Sequence, residues 1–281
     1  MIVGVDIGGS HIAAGILNKS SGEIRIDKFS EASVDSSASA SDIISNWAGL
    51  IRSIADAKAD LKVGIAMPGP FDYESGISLI LEQGKMKSLY GKSIRDLLAK
   101  ELEIVPANIC FMNDAEAFLK GESLAGAGKD YTNTMGLTLG TGLGSAIQVE
   151  EIVKDAKLWT APFRQGIAED YLGTSWFQKY VDERYSKTIA GARELMEEGF
   201  DPSIREEVFK VYGQALGEFL FPYVIRLQTQ AVILGGKIAN AHSYFLPSAQ
   251  SYLRNYGVDL AFHISQLGER STLIGAGGVF L

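Results

Sequence analysis

The stretch that decides the fold is Ile2-Val3-Gly4-Val5-Asp6-Ile7-Gly8-Gly9-Ser10-His11-Ile12-Ala13-Ala14-Gly15-Ile16-Leu17. Two apolar, β-branched runs, 2–7 and 12–17, flank Gly8-Gly9-Ser10-His11, which predicts a β-hairpin closed by a glycine turn. The arrangement returns at 134–139 and 145–149, around Gly140-Thr141-Gly142-Leu143-Gly144. The rest of the chain is read outward from these two hairpins.

Residues 25–29 alternate and predict a third strand. The Ser/Ala-rich segment 33–41 reads as a loop. Ser41-Asp42 can cap a helix whose apolar positions Ile43, Ile44, Trp47, Leu50, Ile51 and Ile54 follow a 3.6-residue period. A strand at 63–67 stops at Pro68-Gly69-Pro70. A helix at 93–102, a strand at 109–112 ending in Asn113-Asp114 and a helix at 115–125 follow. The second half reads as helix over 171–185, 189–198 and 204–227, then a buried strand at 231–234 before Gly235-Gly236. Hairpin, helix, strand, helix thus occurs twice, which predicts two α/β lobes: 1–115 with 268–281 returning to it, and 116–267.

Composition narrows the class. The chain has 281 residues, 46% hydrophobic and 21% charged, enough for a large core. A net charge of −8 argues against nucleic acid or an acidic membrane face as partner. Glycine is abundant, 31 residues against 7 prolines, which points to ordered tight turns. The lone Cys110 excludes an intrachain disulfide and a multi-cysteine zinc site, and His11, His242 and His263 are scattered. The N-terminus lacks the basic region and cleavage site of a signal peptide, and no apolar run reaches the ~18 residues of a membrane span. The expectation is a cytoplasmic protein.

Four constellations can carry chemistry. Gly8, Gly9 and Ser10 let backbone N–H groups approach a phosphate, and Asp6 at the strand end could hold hydrated Mg²⁺; taken alone, an ordinary hairpin turn with a surface Asp is the slightly favoured reading. Gly140-Thr141-Gly142 offers a second cradle or another plain turn. A dinucleotide fingerprint does not fit, because a strand rather than a helix follows these glycines. Asp114 could take a proton from a hydroxyl while Asn113 holds a neighbouring one, or Asp114 simply caps the next helix. Gly235-Gly236 could let a flat base lie on the backbone, or serve packing. Gly91-Lys92-Ser93 imitates the end of a P-loop, but Met86 stands where the first glycine is required, so Ser93 reads as a helix cap. Trp159, Trp176 and Phe177 could stack on a sugar, though the spacing of the last two suits helix packing.

Taken in order, the blocks resemble the ROK family of repressors and sugar kinases. Asp6 to Gly15 resembles its first phosphate motif, Pro68-Gly69-Pro70-Phe71-Asp72 its sugar-side loop, and Asn113-Asp114-Ala115-Glu116-Ala117 with Gly121-Glu122 and Gly126-Ala127-Gly128-Lys129 its catalytic block. Residues 137–144 resemble its second phosphate motif, Leu234-Gly235-Gly236 its adenosine motif, and Leu273-Ile274-Gly275-Ala276 its C-terminal signature. The resemblance implies a two-lobed, actin-like (ribonuclease H-like) fold of the ATPase and sugar kinase type, with MgATP in the cleft. It implies Asp114 as general base; Gly69, Asn113 and Asp114 as sugar ligands; Gly8, Gly9, Ser10, Thr138, Gly140, Thr141 and Gly142 around the phosphates of ATP; and Gly235 and Gly236 at the adenosine. A homodimer is a further expectation carried from the family.

The departures bear on the substrate. Members with the full pattern carry Gly-Glu-x-Gly-His and a zinc-binding cysteine motif. Here the stretch runs Asp155-Ala156-Lys157-Leu158-Trp159-Thr160 and on to Gly166, with no zinc site, and the sugar-binding Glu and His are replaced near Lys157 and Trp159. A later family Glu, also a sugar ligand by resemblance, corresponds to Glu169. The family's regulators place a helix-turn-helix before the first glycine motif; with that motif at residues 6–15, none is expected here. The expectation is therefore a glucokinase-like enzyme that phosphorylates a hexose or hexose derivative with ATP and Mg²⁺. The alternatives are a catalytically silent sugar or nucleotide sensor, or a kinase of a non-glucose acceptor whose anionic substituent faces Lys157 and Arg164.

Overall fold

The computed structural model describes residues 1–55, 60–81 and 86–281. Its contacts divide the chain into two compact units: residues 1–129 with 267–281, and residues 130–266.

In the first unit the opening hairpin is β1 (Ile2–Ile7) and β2 (His11–Ser20), followed by β3 (Glu23–Ser33), α1 (Ala40–Ile54), β4 (Lys62–Ala66), α2 (Ile94–Leu102), β5 (Ile109–Met112) and α3 (Asp114–Ala125). The sheet order is β3-β2-β1-β4-β5; the first three strands are antiparallel, and β1, β4 and β5 run parallel. β3 is longer than residues 25–29, because its pairing with β2 continues from Ser20 opposite Glu23 to His11 opposite Ser33. α1 starts ahead of Ser41-Asp42: the Ser39 side chain accepts from the Asp42 N–H at 3.2 Å and caps it. Its apolar stripe buries Trp47 completely. Ser93 caps α2 in the same way, accepting from the Asp96 N–H at 3.2 Å.

The C-terminal helix Arg270–Gly277 closes this unit. A Cβ on Gly64 of β4 would collide with the Ala276 carbonyl, and one on Gly275 with the Ala117 carbonyl of α3. Helix, sheet and α3 therefore meet at backbone distance, which only glycine permits. This packing places α3 in the first unit, which extends past Ala115, where the sequence reading ended the lobe.

The second unit repeats the plan. It contains β6 (Thr134–Leu139), β7 (Leu143–Val149), β8 (Ile152–Asp155), α4 (Ala168–Leu172), α5 (Thr174–Tyr185), α6 (Pro202–Leu227), β9 (Ala231–Gly235), α7 (His242–Asn255) and β10 (Ala261–Ile264); the C-terminal helix is α8. The sheet order is β8-β7-β6-β9-β10, again three antiparallel strands followed by two parallel ones. Phe177, Phe209, Tyr212 and Phe245 fill the core between α5, α6 and α7, and the Tyr212 hydroxyl donates to the Leu172 carbonyl at 2.9 Å.

Two helical expectations change here. Residues 171–185 split into α4 and α5 because Gly173 is extended, with φ −91° and ψ 174°. Residues 189–198 form only one 3-10 turn, Glu194–Met196. There the Glu194 carboxylate takes the Ala190 N–H at 2.6 Å, and Gly191 and Gly199 leave too short a run for a helix.

Candidate active site

Three adjacent parallel strands of the first unit lead into residues singled out by sequence. Asp6 closes β1, Met67-Pro68-Gly69-Pro70 follows β4, and Asn113-Asp114 follows β5. Open α/β sheets bind ligands at such carboxyl ends.

Asn113 caps α3. Its Oδ1 accepts from the N–H groups of Ala115, at 2.8 Å, and Glu116, at 3.4 Å. Because both partners are donors, the amide oxygen must face the helix, and the NH₂ group faces away. That NH₂ donates to the Tyr73 hydroxyl at 3.2 Å, which in turn donates to the Met67 carbonyl at 2.9 Å. Tyr73 thus ties the Gly69 loop to Asn113, and its ring lies 5.3 Å from Phe71. Asp114 is the first residue of α3; its Oδ1 also accepts from the Ala115 N–H at 2.8 Å, and its side chain is exposed. The cap of α3 is therefore Asn113 and not Asp114, contrary to the capping alternative read from the sequence.

Asp6 is the electrostatic anomaly. Burial pushes its carboxyl up to about 7, and the nearby charges of Asp114 and Glu269 push in the same direction. Glu269, just before α8, was not singled out by sequence. Nothing in its local sequence signals this neighbour.

The turn after β1 is tight. The Gly8 N–H donates to the His11 carbonyl at 2.9 Å, and the His11 ring fills the space a Gly8 Cβ would need. The N–H groups of Gly9 and Ser10 meet no acceptor among the described residues.

The second unit gathers its own set. Thr138 pairs with Gly235 across β6 and β9, and the Gly140-Thr141-Gly142 turn and Gly236 adjoin the same strand ends. Gly236 has φ +84°, and a Cβ there would collide with the Leu139 backbone, so glycine is required on both counts. Glu169, in α4, accepts from the Leu143 N–H at 2.9 Å and packs against Gly142.

The altered stretch has settled into structure. Arg164 is paired with Glu218, 3.1 Å from Nε, and lies over the rings of Phe163 and Tyr171 at 5.1 and 5.4 Å. Lys157 is exposed with φ +51°, and Trp159 is 45% exposed. Trp176 and Phe177 are core, as their spacing suggested. Burial raises the carboxyl of Asp155. No helix among the described residues is long and apolar enough to cross a membrane.

Comparisons with known proteins bear on this arrangement. The model of the ROK family matches residues 2–157. A glucokinase of Thermotoga maritima is 30% identical over 146 residues, 52% of this chain and 44% of its own length. An N-acetyl-D-glucosamine kinase of Vibrio atlanticus is 26% identical over 152 residues, 53% of this chain and 47% of its own length. The chain spans about half the length of the curated relatives it matches. Over nearly the whole chain, the structure resembles a ROK hexokinase from Thermus thermophilus (TM-score 0.78, 20% identity, 98% of this chain and 96% of that one). It also resembles a ROK family glucokinase from Streptomyces griseus solved with glucose and AMPPNP (TM-score 0.74, 21% identity, 99% and 98%). These likenesses show the actin-like fold expected from the sequence.

Proposed function

The chain belongs to the ROK family, and from that membership we propose that it transfers the terminal phosphoryl group of ATP to a hydroxyl of a hexose or hexose derivative. The glucokinase and N-acetylglucosamine kinase relatives support a sugar acceptor. The observation that carries the reading is the convergence of Asp6, the Gly69 loop and Asn113-Asp114 at the ends of three neighbouring parallel strands.

In this reading Asp114 takes the proton from the attacking hydroxyl, and the Asn113 amide and the Gly69 loop hold the sugar. Phosphoryl transfer needs alignment and charge neutralisation more than covalent help. The amides of Gly9 and Ser10, following Gly8, and those of Thr141 and Gly142 in the turn that starts at Gly140 supply that neutralisation. Thr138 lines the phosphates, and Gly235 and Gly236 take the adenosine. Glu169 is the further sugar ligand in this reading.

Asp6 fits a divalent cation: a buried carboxyl pushed to about 7 beside two other acids is one that a positive ion would discharge. Among the described residues no three His, Cys, Asp or Glu side chains form a metal-holding group. This donor set suits an ion held by one carboxylate, water and phosphate oxygens, as Mg²⁺ prefers. When bound, Mg²⁺ would neutralise charge on the phosphates.

The test is ADP release, measured by a coupled assay over a sugar panel, with wild type and Asp114→Asn. Sugar-dependent ADP release that falls by about 10²–10⁴-fold in the variant supports the reading. Unchanged turnover would remove Asp114 from the mechanism. Sugar binding without ADP release would instead identify a sensor.

A further inference from the structure

The Gly140-Thr141-Gly142 turn is gripped from one side by residues outside it. Thr174 opens α5. Its hydroxyl donates to the Gly140 carbonyl at 2.8 Å, its backbone N–H donates to the same oxygen at 3.0 Å, and a longer contact of 3.4 Å reaches the Thr141 carbonyl. In a planar trans peptide the N–H points opposite to the carbonyl of the preceding residue. With the carbonyls of Gly140 and Thr141 both turned toward α5, the N–H groups of Thr141 and Gly142 both point away from it.

The remaining amides of the turn are occupied. The Gly140 N–H donates to the Gly142 carbonyl at 3.1 Å, and the Leu143 N–H donates to Glu169 Oε2 at 2.9 Å. Among the described residues, the N–H groups of Thr141 and Gly142 alone in this turn meet no acceptor. Thr141 is exposed. Two successive amides aimed the same way form an anion-binding concavity. The packing around them serves this aim: the Glu169 carboxylate occupies the space a Gly142 Cβ would need, and a Cβ on Gly173 would stand 3.0 Å from the Thr141 oxygen.

We propose that Thr174, with Glu169, aims the Thr141 and Gly142 amides at the phosphate chain of the nucleotide, making Thr174 a positioning residue for phosphoryl transfer. The inference rests on the ATP-dependent reading above and adds to it. It names the two donors, and it gives Glu169 a duty toward the phosphate turn besides any toward the sugar.

The experiment compares wild type, Thr174→Val and Thr174→Ser. Valine keeps the shape and the backbone bond but loses the hydroxyl donor; serine keeps the donor. The probes are Mg²⁺ with a β,γ-imido analogue of ATP, and AMP, each titrated calorimetrically, followed by KM for ATP and for the sugar. Thr174→Val should weaken binding of the imido analogue about 3–10-fold, the worth of one hydrogen bond. It should leave AMP affinity and sugar KM unchanged and raise KM for ATP, and Thr174→Ser should restore wild-type values. Undiminished affinity of Thr174→Val for the imido analogue overturns the proposal, as does equal loss toward imido analogue and AMP, which marks a structural role. Absence of imido-analogue binding in wild type overturns the nucleotide reading itself, and this inference with it.

Discussion

Asp6 offers the sharpest quantitative test. A carboxyl raised from 3.8 to about 7 in the folded protein binds its proton more tightly folded than unfolded. Its contribution to stability is therefore fully present below pH 3.8 and is lost as pH rises toward 7, levelling off above it. A shift of about three pH units corresponds to roughly 4 kcal/mol, and about 2.5 kcal/mol of this loss falls between about pH 5 and about pH 7.5. Asp6→Asn removes the titration and keeps the shape. Urea unfolding followed by Trp47, the tryptophan of the first unit, isolates the effect in a Trp159→Phe, Trp176→Phe background. The measured quantity is the difference between the Asp6→Asn variant and its parent at each pH. The stability advantage of the variant should grow by about 2.5 kcal/mol over that interval. A pH-independent difference would refute the claim that Asp6 is buried beside like charges.

Other perturbations separate the remaining roles. Tyr73→Phe removes the hydroxyl joining Asn113 to the Met67 carbonyl; it should raise KM for the sugar about 3–10-fold and leave KM for ATP unchanged in the same coupled assay. Arg164→Met leaves acceptor preference untouched, because the guanidinium is already committed to Glu218 and two rings; a lost preference for an anionic sugar would restore Arg164 to the acceptor site. Gly64→Ala drives a methyl into the Ala276 carbonyl, and thermal unfolding should show a loss of roughly 3 kcal/mol or more. Ser39→Ala, by contrast, should cost about 1 kcal/mol, the usual worth of a helix cap.

The hairpins and the parallel strands behind them were legible because alternation, β-branching and glycine turns act locally. Asn113 and Asp114 were legible for the same reason: a polar pair interrupts an apolar run where a strand must end. Contacts made at long range left weaker marks. Tyr73 reaches Asn113 across 40 residues, and Glu269 meets Asp6 only because α8 docks on β1 and β4. Nothing in the local pattern around either residue announces its partner. Thr174 was hidden by the opposite error. Periodicity through 171–185 masked the break at Gly173, and with it the helix start that places the hydroxyl on the Gly140 carbonyl. Arg164 looked available to a ligand because its counter-ion lies 54 residues away.

The second unit is one uninterrupted stretch of chain, whereas the first is completed only by residues 267–281. During synthesis on the ribosome, the sheet bearing Asp6 and its two parallel neighbours emerges early yet waits for the last segment to cover it. The intervening stretch draws on no later residue to complete its unit. A nascent chain halted before Gly268 should therefore carry a protease-resistant 130–266 core joined to an amino-terminal portion that is still cleavable, and release of the final segment should protect both together.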